Sequence, residues 1–249
     1  MPGRGFLNWD SCSVSDMIDM NGIQLKISVI FIFSLWFSLQ ISFSQENRNE
    51  RVRIMFYNTE NLFDTNDDTL TNDDEFLPDG ERHWDNHRFY RKLNNIAKVI
   101  IGVGEWQPPA IVGLCEVENR YVLNQLVYET PLKNFGYRII HAESPDWRGI
   151  DVAMLYRKDQ FFPDTFLTIP VQFPFDPGSK TSDILYVKGR FDETDTLHFF
   201  INHWPSRYGG YLASQPKRDH AASILKGKVD SLFGIDPKSK IMIMGDFND

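Results

Sequence analysis

A chain of 249 residues that is 42% hydrophobic and 24% charged has the composition of a globular protein and excludes a disordered one. Its net charge of −8 excludes a protein that grips nucleic acid by bulk positive charge, so any phosphate binding has to be local or metal-assisted. Only two cysteines are present, Cys12 and Cys115.

The first element is a continuous apolar run, Ile27 to Phe43, with Lys26 before it and small residues at Ser42 and Ser44 after it. That order reads as a signal peptide cleaved after Ser44, for a secreted or periplasmic protein. An uncleaved membrane anchor is the alternative, disfavoured because the run is short for a span and Gln40 interrupts it. Residues 1–19 do not resemble the start of a signal peptide, and Met20 is the more natural first residue. Residues 1–44 are therefore expected to form an N-terminal extension plus signal, and residues 51–249 the single folded domain. Loss of residues 1–44 removes Arg4, Lys26, Asp10, Asp16 and Asp19, leaving a net charge of −7. Cys115 is then alone, which excludes a disulfide framework, and in "AIVGLC" it reads as a small core residue rather than a nucleophile.

Strand-like and helix-like stretches then alternate. Val52 to Asn58 reads as a buried strand. His87 to Ile100 puts Phe89, Leu93, Ile96, Ala97 and Ile100 on one helical stripe. Ala110 to Glu116 is a second buried strand, and Asn119 to Glu129 a short helix. Strands follow at Tyr137 to His141, Ile150 to Arg157, Ile184 to Phe191 and Thr196 to Trp204. A long helix from about Leu212 to Leu232 and a final buried strand, Ser239 to Asp246, complete the series. The pattern predicts an α/β architecture of more than two layers, with mixed sheets covered by helices.

Polar residues collect where these strands end: Asn58 in "FYNTENLF", Glu116 in "GLCEVEN", His203 in "INHWPSR", and Asp246 and Asn248 in "MGDFND". Singly each has a bland reading, a turn former for Asn58, a helix-dipole partner for Glu116, and a structural imidazole for His203. Converging, they make a hard-oxygen metal site with acid/base groups beside it, as metal-assisted hydrolysis requires.

The ordered set "FYNTENLF", "GLCEVEN", "RGIDVAMLY", "FFINHWPSR" and "IMGDFND" resembles the endonuclease/exonuclease/phosphatase superfamily, in its secreted bacterial branch with the DNase I-like fold. The resemblance implies a four-layer α/β sandwich, two mixed sheets face to face with helices outside. It implies Asn58 and Glu116 as ligands of Mg2+, with Mn2+ as a substitute, and His203 on the scissile phosphate. Asp246 would orient or deprotonate water or assist the leaving group, Asn248 would hold the phosphate, and Ser206 and Arg207 would bind it. The implied activity is a secreted Mg2+-dependent phosphodiesterase, a nuclease acting on DNA or RNA, with nucleic acid as partner and no stable protein partner. A sphingomyelinase-like or small-molecule phosphatase, and an inactive fragment or binding module, are the alternatives. Membrane contact is expected only through the signal run or an uncleaved anchor. The family closes its domain with further strands bearing an Asp-His pair, so truncation after Asp249 is expected. A second departure is "TSDIL", where Ser182 replaces an arginine and Lys180 is the nearest substitute cation.

Two further stretches stand out. In "SPDWRGID", Trp147 and Arg148 are candidates for base stacking and phosphate contact, with an ordinary surface turn as the bland reading. Asp64, Asn66, Asp68, Asn72 and Glu75 fit the spacing of a Ca2+ loop, but Thr69 stands where glycine makes the turn and no helix pair flanks it. A solvated acidic loop near the cleft is the favoured reading there.

Overall fold

The structure, a computed structural model, describes residues 52–105, 107–191 and 195–248. The N-terminal extension, the signal run with its Ser44 cleavage point, Cys12 and Asp249 lie outside the described residues. Among the described residues no helix is long and apolar enough to cross a membrane.

In chain order the elements are β1 (Ile54–Leu62), α1 (Asn86–Val103), β2 (Ile111–Val117), α2 (Arg120–Tyr128), β3 (Tyr137–His141), β4 (Asp151–Arg157), β5 (Phe162–Ile169), β6 (Ile184–Arg190), β7 (Thr196–His203), α3 (Tyr211–Ile235) and β8 (Lys240–Asp246). They build two four-stranded mixed sheets, ordered β1-β2-β4-β3 and β5-β6-β7-β8. Each sheet has one parallel pair, β1 with β2 and β7 with β8, and each of those pairs is joined by a crossover containing a long helix. All other pairs are antiparallel.

Alternation along the strands divides the core into layers. Val112 and Leu114 of β2 face α1 and α2 together with Leu93, Ile96, Ile100, Leu123 and Leu126. Ile111 and Cys115 face the other way, meeting Leu185, Val187, Phe199, Ile201 and Met244 of the second sheet. Phe200 turns outward onto Ala221 and Leu225 of α3. The order is thus helices, sheet, sheet, helix, the α/β sandwich of the DNase I-like fold. The expected stripe of α1 is buried, and Asp85 caps it by accepting the Arg88 N–H at 2.8 Å. Cys115 is fully buried between the sheets, as its apolar neighbours suggested.

Two expectations are corrected. β1 and β8 are half-buried rather than fully buried, because each lies at an edge of its sheet, the two packing near each other. β5 is a strand that the sequence reading missed. It is an edge strand with Phe162, Phe166 and Leu167 exposed, and Pro163 sits where its register slips, so neither alternation nor composition marked it. The apolar segment after it packs inward through Ile169, Val171 and Phe173.

Gly245 of β8 is required by its ladder partner. Asn202 lies fully buried over that ladder, donating from Nδ2 to the carbonyls of Phe200 and Met244, and a Cβ at Gly245 would fall 2.4 Å from the Asn202 carbonyl oxygen. Gly245→Ala is expected to cost about 2–3 kcal/mol, seen as a lower denaturant midpoint at unchanged slope. An unchanged midpoint would show that the ladder can open there freely.

Candidate active site

A parallel pair brings the carboxyl ends of two strands to one side, and here both sheets supply such a pair. β1 packs against β8, and β2 against β7 and β8, so the ends of β2, β7 and β8 meet beside Asn58, where β1 leaves its regular register with β2. Asn58 comes from β1, Glu116 from β2, His203 from β7 and Asp246 from β8. Asn58 Nδ2 donates to Glu116 Oε1 and to Asp246 Oδ2, each at 3.0 Å, bridging the two sheets. His203 Nε2 lies 3.5 Å from the same Glu116 Oε1.

Glu116 reaches this position through a break in the strand pattern. Regular alternation would place it beside Val112 and Leu114 on the apolar face under the helices. Instead Cys115 pairs with Val152 and Val117 with Asp151, leaving Glu116 as the extra residue of a β-bulge at φ +59°. The bulge returns Val117 to the helix-facing core and frees Glu116 to point along the strand end. Thr59, buried, pins the deformation by donating Oγ1 to the carbonyls of Cys115 and Glu116, both at 2.8 Å. Glu60 and Asn61 also adopt positive φ, which lets the Asn61 N–H donate to Glu116 Oε2 at 2.9 Å. Lys92 of α1 holds this turn from outside by donating to the carbonyls of Glu60 and Asn61. Burial brings the Lys92 ammonium down to about 8.

The second sheet is organised by its own turn. Asp246 Oδ1 accepts the Asn248 N–H at 3.0 Å, and Asn248, at φ +53°, donates Nδ2 to the Trp204 carbonyl at 2.8 Å. Arg207 closes the arrangement by donating Nε to the Asn248 carbonyl at 2.8 Å. Burial holds His203 below the ordinary imidazole value, Glu116 opposes that shift, and Arg148 reinforces it. His203 Nδ1 is sealed from solvent without a hydrogen-bond partner. Cys115 Sγ lies close to His203 and Asp246, but burial raises its thiol strongly, so it stays protonated and is a poor ligand.

Beside the centre is a cavity of about 580 Å³. Arg148, Ser206, Lys180 and Lys217 line it with the aromatic residues Trp147 and Tyr208. Arg148 is held there by a two-pronged pair with the buried carboxylate of Asp146, at 3.0 and 2.8 Å. Ser182 is buried, donating to the Ile150 carbonyl at 2.9 Å, while Lys180 of the same segment reaches the cavity. Arg218 is buried and donates to Ser214 Oγ at 2.8 Å and the Tyr211 carbonyl at 3.4 Å at the start of α3. Asp151 is likewise buried, accepting from His141 Nε2 at 3.0 Å and the Ser144 N–H at 2.8 Å.

The structure therefore gathers Asn58, Glu116, His203 and Asp246 at one point, sets Asn248 and Arg207 as the brace beside them, and puts Arg148 and Ser206 on the adjoining cavity. Sequence reasoning missed Thr59, Asn61, Lys92 and Asp146. Of these only Asp146, two residues before Arg148, carried a signal, as an acid spaced to grip a nearby guanidinium. A divalent cation fits this donor set. Glu116 and Asp246 present carboxylate oxygens with only an amide NH2 between them, and an oxygen-rich strand-end site of this kind suits a hard ion. Asn58 presents its NH2 to the carboxylates and its oxygen to the Glu60 N–H at 2.7 Å, so its amide has to turn over to serve as a ligand.

Residues 53–249 match the family described as the endonuclease/exonuclease/phosphatase family. No curated protein matches the chain. Among solved structures it is similar to TDP2 from Caenorhabditis elegans, at 19% identity over 66% of this chain and 44% of that one, with a TM-score of 0.50. It is similar to ANGEL2, a 2′,3′-cyclic phosphatase, at 15% identity over 62% and 43% of the two chains, TM-score 0.50. It is also similar to a Bacteroides thetaiotaomicron mannosyl-6-phosphatase, at 18% identity over 80% and 66%, TM-score 0.50. The chain spans about half the length of the nematode structures. At such identities the likeness establishes the fold.

Proposed function

The chain belongs to the endonuclease/exonuclease/phosphatase family, and on that premise we propose that it is a Mg2+-dependent phosphodiesterase that hydrolyses nucleic acid. The observation that carries this reading is the Asn58 bridge, which holds two carboxylates from different sheets within one hydrogen bond of a common point, beside a buried imidazole. Asn58 and Glu116 are the residues to hold Mg2+, which when bound would neutralise charge on the phosphoryl oxygens. Asp246, whose Oδ1 accepts the Asn248 N–H, orients the attacking water and receives its proton. Water oxygen bonds to phosphorus as the ester oxygen departs and takes up a proton from solvent, leaving a phosphomonoester and an alcohol. His203 and Asn248 hold the phosphate in line.

Nucleic acid is the favoured substrate because the adjoining cavity combines the aromatic faces of Trp147 and Tyr208 with the cations Arg148 and Lys180, groups that receive a base and its phosphate. Burial of Ile169, Val171 and Phe173 disfavours a phospholipid, since it leaves only Phe175 of that segment's large apolar side chains exposed. A small phosphorylated molecule is the second reading, favoured by a cavity within the usual size range for small ligands. The run Ile27 to Phe43 supports export of the protein, to the periplasm or beyond. Parallel incubation with DNA, RNA, sphingomyelin and a sugar phosphate tests the proposal. Nucleic-acid cleavage in Mg2+, abolished by EDTA, is expected. Turnover of the lipid or sugar phosphate alone reassigns the substrate, and cleavage that survives EDTA removes the metal.

A further inference from the structure

The loop after β1 carries six carboxylates between Asp64 and Glu75 and neither lysine nor arginine. The structure does not assemble them in the calcium-loop order. Glu75, at the twelfth position, accepts Arg82 Nε at 2.8 Å, and Asp64 accepts the Asn66 N–H at 2.6 Å. Another trio converges instead. One carboxylate oxygen from each of Asp67, Asp73 and Asp74 lies within 4.8 Å of the others.

Asp73 distinguishes this cluster from a solvated acidic face. It is 2% exposed. Its Oδ2 accepts the Asp68 N–H at 3.1 Å, while Oδ1 is sealed from solvent and accepts no hydrogen bond. A buried carboxylate oxygen without a donor is costly, and a cation removes that cost. Asp67 and Asp74 are exposed, so water can complete the coordination. An all-oxygen, water-open set in an irregular turn suits Ca2+, which tolerates varied geometry, better than Mg2+, which demands an octahedron.

We propose that Asp67, Asp73 and Asp74 form a second divalent-cation site, selective for Ca2+, and that its occupancy positions the loop bearing Trp147 and Arg148. The mechanical link is short. The Asn72 N–H, next to Asp73, donates to the Trp147 carbonyl at 2.9 Å. Thr71 packs so closely on Gly149 that a Cβ there would lie 2.8 Å from its methyl group. Ordering the acidic turn therefore orders the residues on either side of Arg148. The cation site stands independently of the proposed hydrolysis, and only its consequence for substrate rests on that reading.

Calorimetric titration of CaCl2 into the full chain, with MgCl2 saturating, tests the site without turnover. A one-site isotherm is expected, retained in Glu116→Gln and weakened at least about tenfold in Asp73→Asn. Should Asp73→Asn fail to fold, the surface pair Asp67→Asn with Asp74→Asn gives the same test, with circular dichroism verifying the fold. Absence of heat in the parent both with and without MgCl2, or equal affinity in the surface pair, overturns the site. Equal competition by Mg2+ overturns the selectivity. Added Ca2+ is also expected to shift tryptophan emission in the parent and not in Trp147→Phe, and an identical response in both overturns the link to the Arg148 loop.

Discussion

Glu116→Gln is expected to lower kcat about 10³-fold or more at saturating Mg2+, with the folded structure intact. The substitution keeps the shape of the side chain and one acceptor oxygen. It removes the negative charge that, with Asp246, makes the strand ends a cation site. The damage should be catalytic rather than structural, because Glu116 lies outside the apolar clusters and its bulge is pinned by Thr59 through backbone carbonyls. The check is turnover across a Mg2+ titration alongside thermal melting. Parent-like kcat at saturating Mg2+ would remove Glu116 from the metal site, while a collapsed melt with no folded fraction would mean the carboxylate supports the fold instead.

His203→Gln is expected to lower kcat about 10²–10⁴-fold, the range for a positioned acid/base or phosphate-contacting side chain. The pH profile gives this prediction its sign. Burial disfavours the imidazolium, so His203 stays neutral to a lower pH than the ordinary value of 6.5. If the neutral ring contacts phosphate, activity is retained as pH falls through 6.5, and any limb due to His203 lies below it. In His203→Gln that limb should vanish from kcat/KM while the residual rate stays flat. An acid limb of unchanged position in the variant would assign the titration to a carboxylate.

The elements that build the site were legible because their sequences are apolar runs, whether the strand is covered on both faces, as β2 is, or half-buried at a sheet edge, as β1 and β8 are. "AIVGLC" and "SKIMIMG" announce themselves as apolar runs, and a polar residue at the end of such a run has few places to go except the sheet's rim. β5 was illegible for the opposite reason. An exposed edge strand with a proline has no buried face to impose a period. The acidic loop was read as a solvated one, and its calcium-loop spacing does not describe the turn that forms, which hands Glu75 to Arg82 and brings Asp73 inward.

By itself the sequence determined which side chains are available for chemistry and that they stand at strand ends, because the hydrophobic period that locates a strand also locates its end. Tertiary structure alone decided that four of those side chains coincide, through two parallel pairs in facing sheets. It alone decided that Glu116 escapes the core face, through a bulge whose cost is met by Thr59 and Asn61. It alone set Arg148 on the cavity by pairing it with Asp146. Local pattern carries information about burial, which depends on one strand at a time. Convergence, bulging and charge pairing depend on partners far along the chain, so no single stretch can encode them.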